Sequence, residues 1–123
     1  MTNILVVGCG SIGRRHLRVL RTYDVNFLGG VDTRPDRLDQ ANEEVQLDAR
    51  YNNIKEALKD TKYDAVFIAT PPHIHTEIAQ FAAEFGCHLF IEKPLAMNEN
   101  GLEELYSTCK QNSVICYTAY CYR

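Results

Sequence analysis

The sequence predicts a doubly wound α/β domain: a six-stranded parallel sheet, strand order 3-2-1-4-5-6, with helices on both faces. Three observations lead there. Apolar runs of strand length alternate with amphipathic stretches along the whole chain. The strongest runs are continuously apolar, as strands buried on both faces of a parallel sheet require. The first run ends in a glycine-rich turn that opens a helix.

The elements follow in order. Ile4-Leu5-Val6-Val7, within residues 3–8, forms the first strand. Residues 10–22 form a helix, with Ile12, Leu17, Val19 and Leu20 at near-helical spacing. Residues 27–31 form the second strand, which ends at Asp32. Residues 35–45 read as a helix, since Pro35 suits a first helical turn. Residues 49–51 are a weak third strand and 54–59 a short helix. Ala65-Val66-Phe67-Ile68-Ala69 is a strong fourth strand. Residues 74–85 form a helix closed by Gly86, a residue that tolerates the left-handed backbone of a helix end. Residues 87–91, 99–112 and 114–119 complete the alternation as strand, helix and strand.

A chain of 123 residues supports one domain with one core. No repeat, linker or low-complexity tract divides it, so residues 1–123 are expected to form one unit. Apolar content of 46% and charged content of 24% suit an ordinary globular domain. A net charge of -3 gives no pull toward nucleic acid or an acidic membrane. The five cysteines, Cys9, Cys87, Cys109, Cys116 and Cys121, are odd in number and contain no C-x-x-C pair. Free thiols are expected, rather than a zinc site or a disulfide framework. With no leader-like start and no run of membrane-spanning length, a cytoplasmic location is the default expectation.

Gly8-Cys9-Gly10-Ser11-Ile12-Gly13 matches G-x-G-x-x-G in the strand-to-helix context that gives the motif meaning. Gly8 permits the tight turn, Gly10 lets a pyrophosphate approach the backbone, and Gly13 lets helix and strand pack closely. Ser11 and Ile12 open the helix, whose amides and dipole face the phosphates. Asp32 lies about 20 residues beyond the last glycine, where a carboxylate binds the adenosine ribose hydroxyls and repels a 2′-phosphate. NAD is therefore expected, with NADP less favoured. Arg34 could soften that preference, because arginine is the usual partner of a 2′-phosphate. Arg14 adjoins the phosphate end of the loop, whereas Arg15, Arg18 and Arg21 read as a solvated helix face.

Two more segments follow central strands. Thr70-Pro71-Pro72 with His75 comes after the fourth strand, and Glu92-Lys93-Pro94 after the fifth. With the glycine motif, they make the chain resemble the Gfo/Idh/MocA oxidoreductase family over essentially its whole length. Tyr120-Cys121-Tyr122-Arg123 is similar to the family's aromatic-x-x-Arg segment. The resemblance implies that Lys93 lies beside the nicotinamide and the substrate hydroxyl, and Glu92 near the nicotinamide ribose. It also implies that Thr70, Pro71 and His75 border the middle of the cofactor. It implies a second α+β domain supplying substrate contacts, absent from these 123 residues, and leaves a homo-oligomer open. The chain alone is then expected to bind cofactor with little or no turnover.

The residues support Lys93 independently. Moving a hydride from an alcohol carbon requires a group to take the hydroxyl proton. A lysine near the oxidised, cationic nicotinamide has a lowered pKa and can do so. Its bland alternative is a surface lysine paired with Glu92. His75 either borders the cofactor or simply packs at a helix start, His73 reads as a turn residue, and His16 as structural. The expected function is the cofactor domain of a dehydrogenase acting on a sugar, nucleotide-sugar or cyclitol. The alternative is a non-catalytic NAD(H)-sensing module, a role that gives Glu92-Lys93-Pro94 nothing to do. A purely structural role is the third reading.

Overall fold

Ile4-Leu5-Val6-Val7 has no polar face to show to water, and it lies at the heart of a parallel sheet. The protein is seen here in a computed structural model that describes residues 2–70, 75–92 and 102–119. The strands are β1 (Asn3–Val7), β2 (Phe27–Val31), β3 (Ala49–Tyr51), β4 (Ala65–Ile68), β5 (His88–Glu92) and β6 (Cys116–Ala119). The helices are α1 (Ser11–Arg21), α2 (Pro35–Glu44), α3 (Ile54–Asp60), α4 (His75–Glu84) and α5 (Leu102–Gln111). All strand pairs are parallel, and the order is β3-β2-β1-β4-β5-β6, as the sequence predicts.

Alternation along β1 builds two cores. Ile4 and Val6 point to one face, where they join Leu17 and Leu20 of α1 and Leu38 and Ala41 of α2. Leu5 and Val7 point to the other, with Ala57 of α3, Ala79 and Ala82 of α4 and Leu105 of α5. Local chemistry sets the helix ends. Pro35 sits in the first turn of α2. Asn53 caps α3, its side chain accepting from the Glu56 amide at 2.9 Å. Gly86 closes α4 at φ +79, as expected.

Two strand starts differ from the expected ones. Cys87 still donates its amide to Ala82 at 3.0 Å, so it belongs to the exit turn of α4, and β5 starts at His88. The Val114 amide likewise returns to the Cys109 carbonyl at 2.8 Å, after Ser113 adopts φ 55. Strand β6 therefore begins at Cys116, two residues later than expected.

Tyr63 is almost fully buried, and its hydroxyl lies 3.0 Å from that of Tyr51, which donates to Asp60 at 2.7 Å. Burial pushes the Tyr63 hydroxyl far above the usual tyrosine range, so it stays neutral. Gly29 of β2 makes room for this ring: a Cβ there would overlap the Tyr63 hydroxyl and sit 3.1 Å from Cζ. We expect Gly29→Ala to destabilise the fold by about 1–3 kcal/mol, the usual range for overpacking a core. Urea denaturation would measure the loss, and an unchanged midpoint would remove this packing argument.

Candidate cofactor site

Strand register assembles the site. Val7 pairs with Val31 and Ile68, and Ile68 pairs with Ile91. The next residues, Gly8, Asp32, Ala69 and Glu92, therefore form one row along the carboxyl edge of the sheet. The order reverses between β1 and β4, and α1 and α4 depart there to opposite faces. This is the crevice in which open α/β sheets bind ligands.

The three glycines of the loop answer to different constraints. Gly8 has φ +96, and a Cβ there would meet the Ala69 carbonyl carbon and oxygen at 2.8 Å. At Gly13 a Cβ would overlap the Gly8 carbonyl oxygen and sit 2.8 Å from its carbon. Internal packing thus forces glycine at both places. Gly10 is different: its added Cβ would meet only the guanidinium end of Arg37, at 3.7 and 3.8 Å. Nothing in the fold demands glycine there. A bare backbone open to the crevice is what a pyrophosphate needs. Gly10 is also the N-cap of α1 and caps with no side chain, while Ser11 and Ile12 are exposed in the first turn.

Asp32 is 8% exposed and held at both oxygens. Its Oδ2 accepts the Cys9 amide at 2.8 Å and its Oδ1 accepts the Arg34 amide at 2.9 Å. The carboxylate thus ties the glycine loop to the end of β2. The Cys9 thiol is buried beside it and donates weakly to the Val31 carbonyl at 3.6 Å. Burial, then the charge of Asp32, pushes this thiol up to about 12, so Cys9 is no nucleophile. Asp32→Ala removes two hydrogen bonds to a charged acceptor, each worth about 1.5–3 kcal/mol, and with them the tie between the glycine loop and the end of β2. NADH affinity should fall more than about tenfold, an effect of 1.4 kcal/mol or more. A fluorescence titration matching the unaltered chain would show that Asp32 does not hold the cofactor.

The remaining expected residues are distributed as follows. Thr70 is half-buried, and its amide lies 3.0 Å from the Cβ position of Gly8, so the loop and the end of β4 meet. His75 begins α4 and Glu92 ends β5, on the correct edge of the sheet; their side chains lie outside the described residues, as do Pro71 and Lys93. Arg34 is engaged by its neighbour Asp36. Its Nη2 and Nε bond the Asp36 carboxylate at 2.9 and 3.3 Å. That hydrogen bond holds Asp36 below, and Arg34 above, its ordinary pKa.

The family model described as "Oxidoreductase family, NAD-binding Rossmann fold" matches residues 2–120. The chain belongs to the Gfo/Idh/MocA family. Among curated family members, myo-inositol 2-dehydrogenase of Thermotoga maritima is 30% identical over 94% of this chain and 35% of its own length. The scyllo-inositol 2-dehydrogenase (NAD(+)) of Bacillus subtilis is 29% identical over 94% of this chain and 34% of its own length. A crystal structure of a probable dehydrogenase from Thermotoga maritima superimposes with a TM-score of 0.87 at 29% identity, covering 95% of this chain and 35% of that one. The chain thus spans about a third of the length of these Gfo/Idh/MocA relatives, and it is an NAD-binding Rossmann domain.

Two residues of this Gfo/Idh/MocA site are more than the sequence reading made of them. Arg14 braces the loop from inside, its Nη1 donating to the Cys9 carbonyl at 3.2 Å and its Nε lying 3.2 Å from Glu44. Arg37, in the first turn of α2, reaches back over Gly10 toward Asp32. Only its place two residues after Pro35, at a helix start facing the loop, could have marked it in advance. The solvated-face reading suits Arg15, Arg18 and Arg21, all exposed, with Arg18 in a surface pair with Glu44 at 2.7 Å and Arg21 with Asp48 at 3.5 Å. Cys9, Cys87, Cys109 and Cys116 are free thiols, and no metal-binding cluster occurs among the described residues. No helix among the described residues is long and apolar enough to cross a membrane.

Proposed function

We propose that this chain holds NAD for an oxidoreductase that moves a hydride between nicotinamide and a cyclitol, sugar or nucleotide-sugar. The observation that carries the reading is the contrast within the glycine loop. Gly8 and Gly13 are required by packing, whereas Gly10 is required only if something must approach its backbone. Gly8, Gly10, Ser11, Ile12, Gly13 and Thr70 would hold the phosphates and the middle of the cofactor, and Asp32 the adenosine ribose. Bound NAD supplies the carbon that accepts the hydride.

The residues of this chain do the rest. Glu92 closes β5 at the carboxyl edge of the sheet, and by the family resemblance it is assigned to the nicotinamide ribose and the next residue, Lys93, to the substrate hydroxyl. Lys93 takes the hydroxyl proton as the hydride departs, and Pro94 restricts the backbone that aims it. Pro71 and His75 are assigned to the middle of the cofactor on the family resemblance. The inositol dehydrogenases among the relatives make a polyol the first substrate class to test. Substrate choice is assigned to the two thirds of the relatives' length that this chain does not match, so these residues alone should bind cofactor with little turnover.

The test is an NADH titration followed by fluorescence, then NAD reduction with myo-inositol, scyllo-inositol and glucose. Saturable NADH binding is expected. Its absence would sink the cofactor reading. Binding by an active full-length enzyme that ignores all polyols and sugars would sink the substrate class alone.

A further inference from the structure

We propose that Arg14 is a positioning residue for the dinucleotide: its guanidinium sets the conformation of the glycine loop, and Glu44, at the far end of α2, holds that guanidinium in place. The proposal rests on the cofactor reading above and adds to it a part that touches no ligand. Gly10 enters α1 at φ -72 and ψ -164 with no side-chain cap. Glycine restricts its own dihedrals least of all residues, so its neighbours must fix this entry. They do so on both sides. The Cys9 amide donates to Asp32 at 2.8 Å and its thiol to the Val31 carbonyl at 3.6 Å. The Cys9 carbonyl accepts from Arg14 Nη1 at 3.2 Å, and the Gly10 carbonyl from the Arg14 amide at 2.9 Å. Any residue at position 14 except proline supplies the amide. Holding the carbonyl before Gly10 takes the side chain.

The consequence for the cofactor follows from peptide geometry. The Cys9 carbonyl and the Gly10 amide share one plane and point in opposite directions. Fixing the carbonyl fixes that plane, and with it the direction in which Gly10 delivers the first turn of α1. The amides of Ser11 and Ile12 open that turn without intrahelical partners, and their direction is what a phosphate meets. The arginine fork suits the task. Nη1 serves the loop while Nε lies 3.2 Å from Glu44 Oε2, and the side chain is only 18% exposed. Glu44 closes α2 and pairs with Arg18 through its other oxygen at 2.7 Å. Because α2 is anchored in the core by Leu38 and Ala41, the brace gives the loop a fixed point outside the crevice. The single nitrogen of a lysine cannot serve carbonyl and carboxylate in this forked geometry.

The test is titration with NADH followed by fluorescence, with ADP-ribose and adenosine in competition. The proteins are the unaltered chain, Arg14→Met, Arg14→Lys, Glu44→Gln, Arg18→Met, and Arg14→Met combined with Glu44→Gln. Arg14→Met should weaken NADH and ADP-ribose about tenfold or more, the scale of one hydrogen bond made by a charged group. Adenosine, which carries no phosphate, should weaken less than about threefold, and Arg14→Lys should recover part of the loss. Glu44→Gln should cost NADH about three- to tenfold by itself and less than about twofold in the Arg14→Met background, since it acts through Arg14. Arg18→Met removes the other partner of Glu44 without touching the loop, and should leave all three ligands within about twofold. The proposal is overturned if Arg14→Met leaves NADH unchanged, or if it weakens adenosine as much as ADP-ribose, as a general loosening of the fold would. It is equally overturned if Glu44→Gln costs the same with and without Arg14, or if Arg18→Met reproduces the loss. Failure of the unaltered chain to bind NADH would instead overturn the cofactor reading itself.

Discussion

Gly13→Ala is expected to abolish NADH binding. A single methyl group is the smallest side-chain addition possible, yet here it has nowhere to go. Its carbon would overlap the Gly8 carbonyl oxygen and approach the carbonyl carbon to 2.8 Å, a separation at which backbone must move. Neither partner yields easily. Gly8 is pinned by its amide, which donates to Val31 at 2.8 Å, and by the Ala69 carbonyl packed against its other side. Gly13 is buried in α1, one turn before Leu17 and two before Leu20, which anchor that helix in the core. The helix would have to lift away from the strand, carrying its N-terminal amides off the phosphate position. We expect NADH affinity to fall more than a hundredfold, with a stability loss of about 1–3 kcal/mol from overpacking. Titration and thermal denaturation together would check this. Near-native affinity would mean that the loop can relax where its geometry says it cannot.

A comparable loss is expected for Lys93→Ala in the active oxidoreductase, on the rate rather than on binding. Removing a positioned acid/base generally costs about 10²–10⁴ in rate. On the proposed reading the loop and Asp32 hold the cofactor, so NADH affinity should stay within about threefold. Lys93→Arg makes the sharper test. It keeps the positive charge but cannot give up its proton near neutral pH, so it should be nearly as slow as alanine. A fast arginine variant would reduce Lys93 to an electrostatic role, and a fast alanine variant would remove it from the mechanism.

The architecture was legible because its signals are local and repeated. β1 must be buried on both faces because it is apolar throughout, and G-x-G-x-x-G after it admits few contexts. The place of Asp32 at the end of β2 was legible by spacing, though its two amide partners were not, since they depend on how the loop folds back on β2. The different roles of the three motif glycines were legible from the motif, whereas the atoms each would meet, in Ala69, Arg37 and Gly8, were not. Gly29 was missed altogether, because its constraint comes from Tyr63, a residue 34 positions away that the sheet brings over it. The surroundings of Arg34 and Arg37 were illegible for a similar reason: the turn into α2 brings Asp36 within reach of Arg34 and sends Arg37 back over the loop.

The strand order also shapes how the chain reaches its native state. β1 is made first, but one of its two neighbours, β4, lies about 60 residues downstream; the Asn3 amide bonds the Asp64 carboxylate across a separation of 61 positions. During synthesis β1 can pair early with β2, while its other edge stays open until β4 arrives. Closing so long a loop is slow compared with forming helices or neighbouring pairs. The central strand is thus available before the other strands of the sheet and among the last to be finished. A nascent chain is most vulnerable to wrong pairing along that open edge, before residue 68 has left the ribosome.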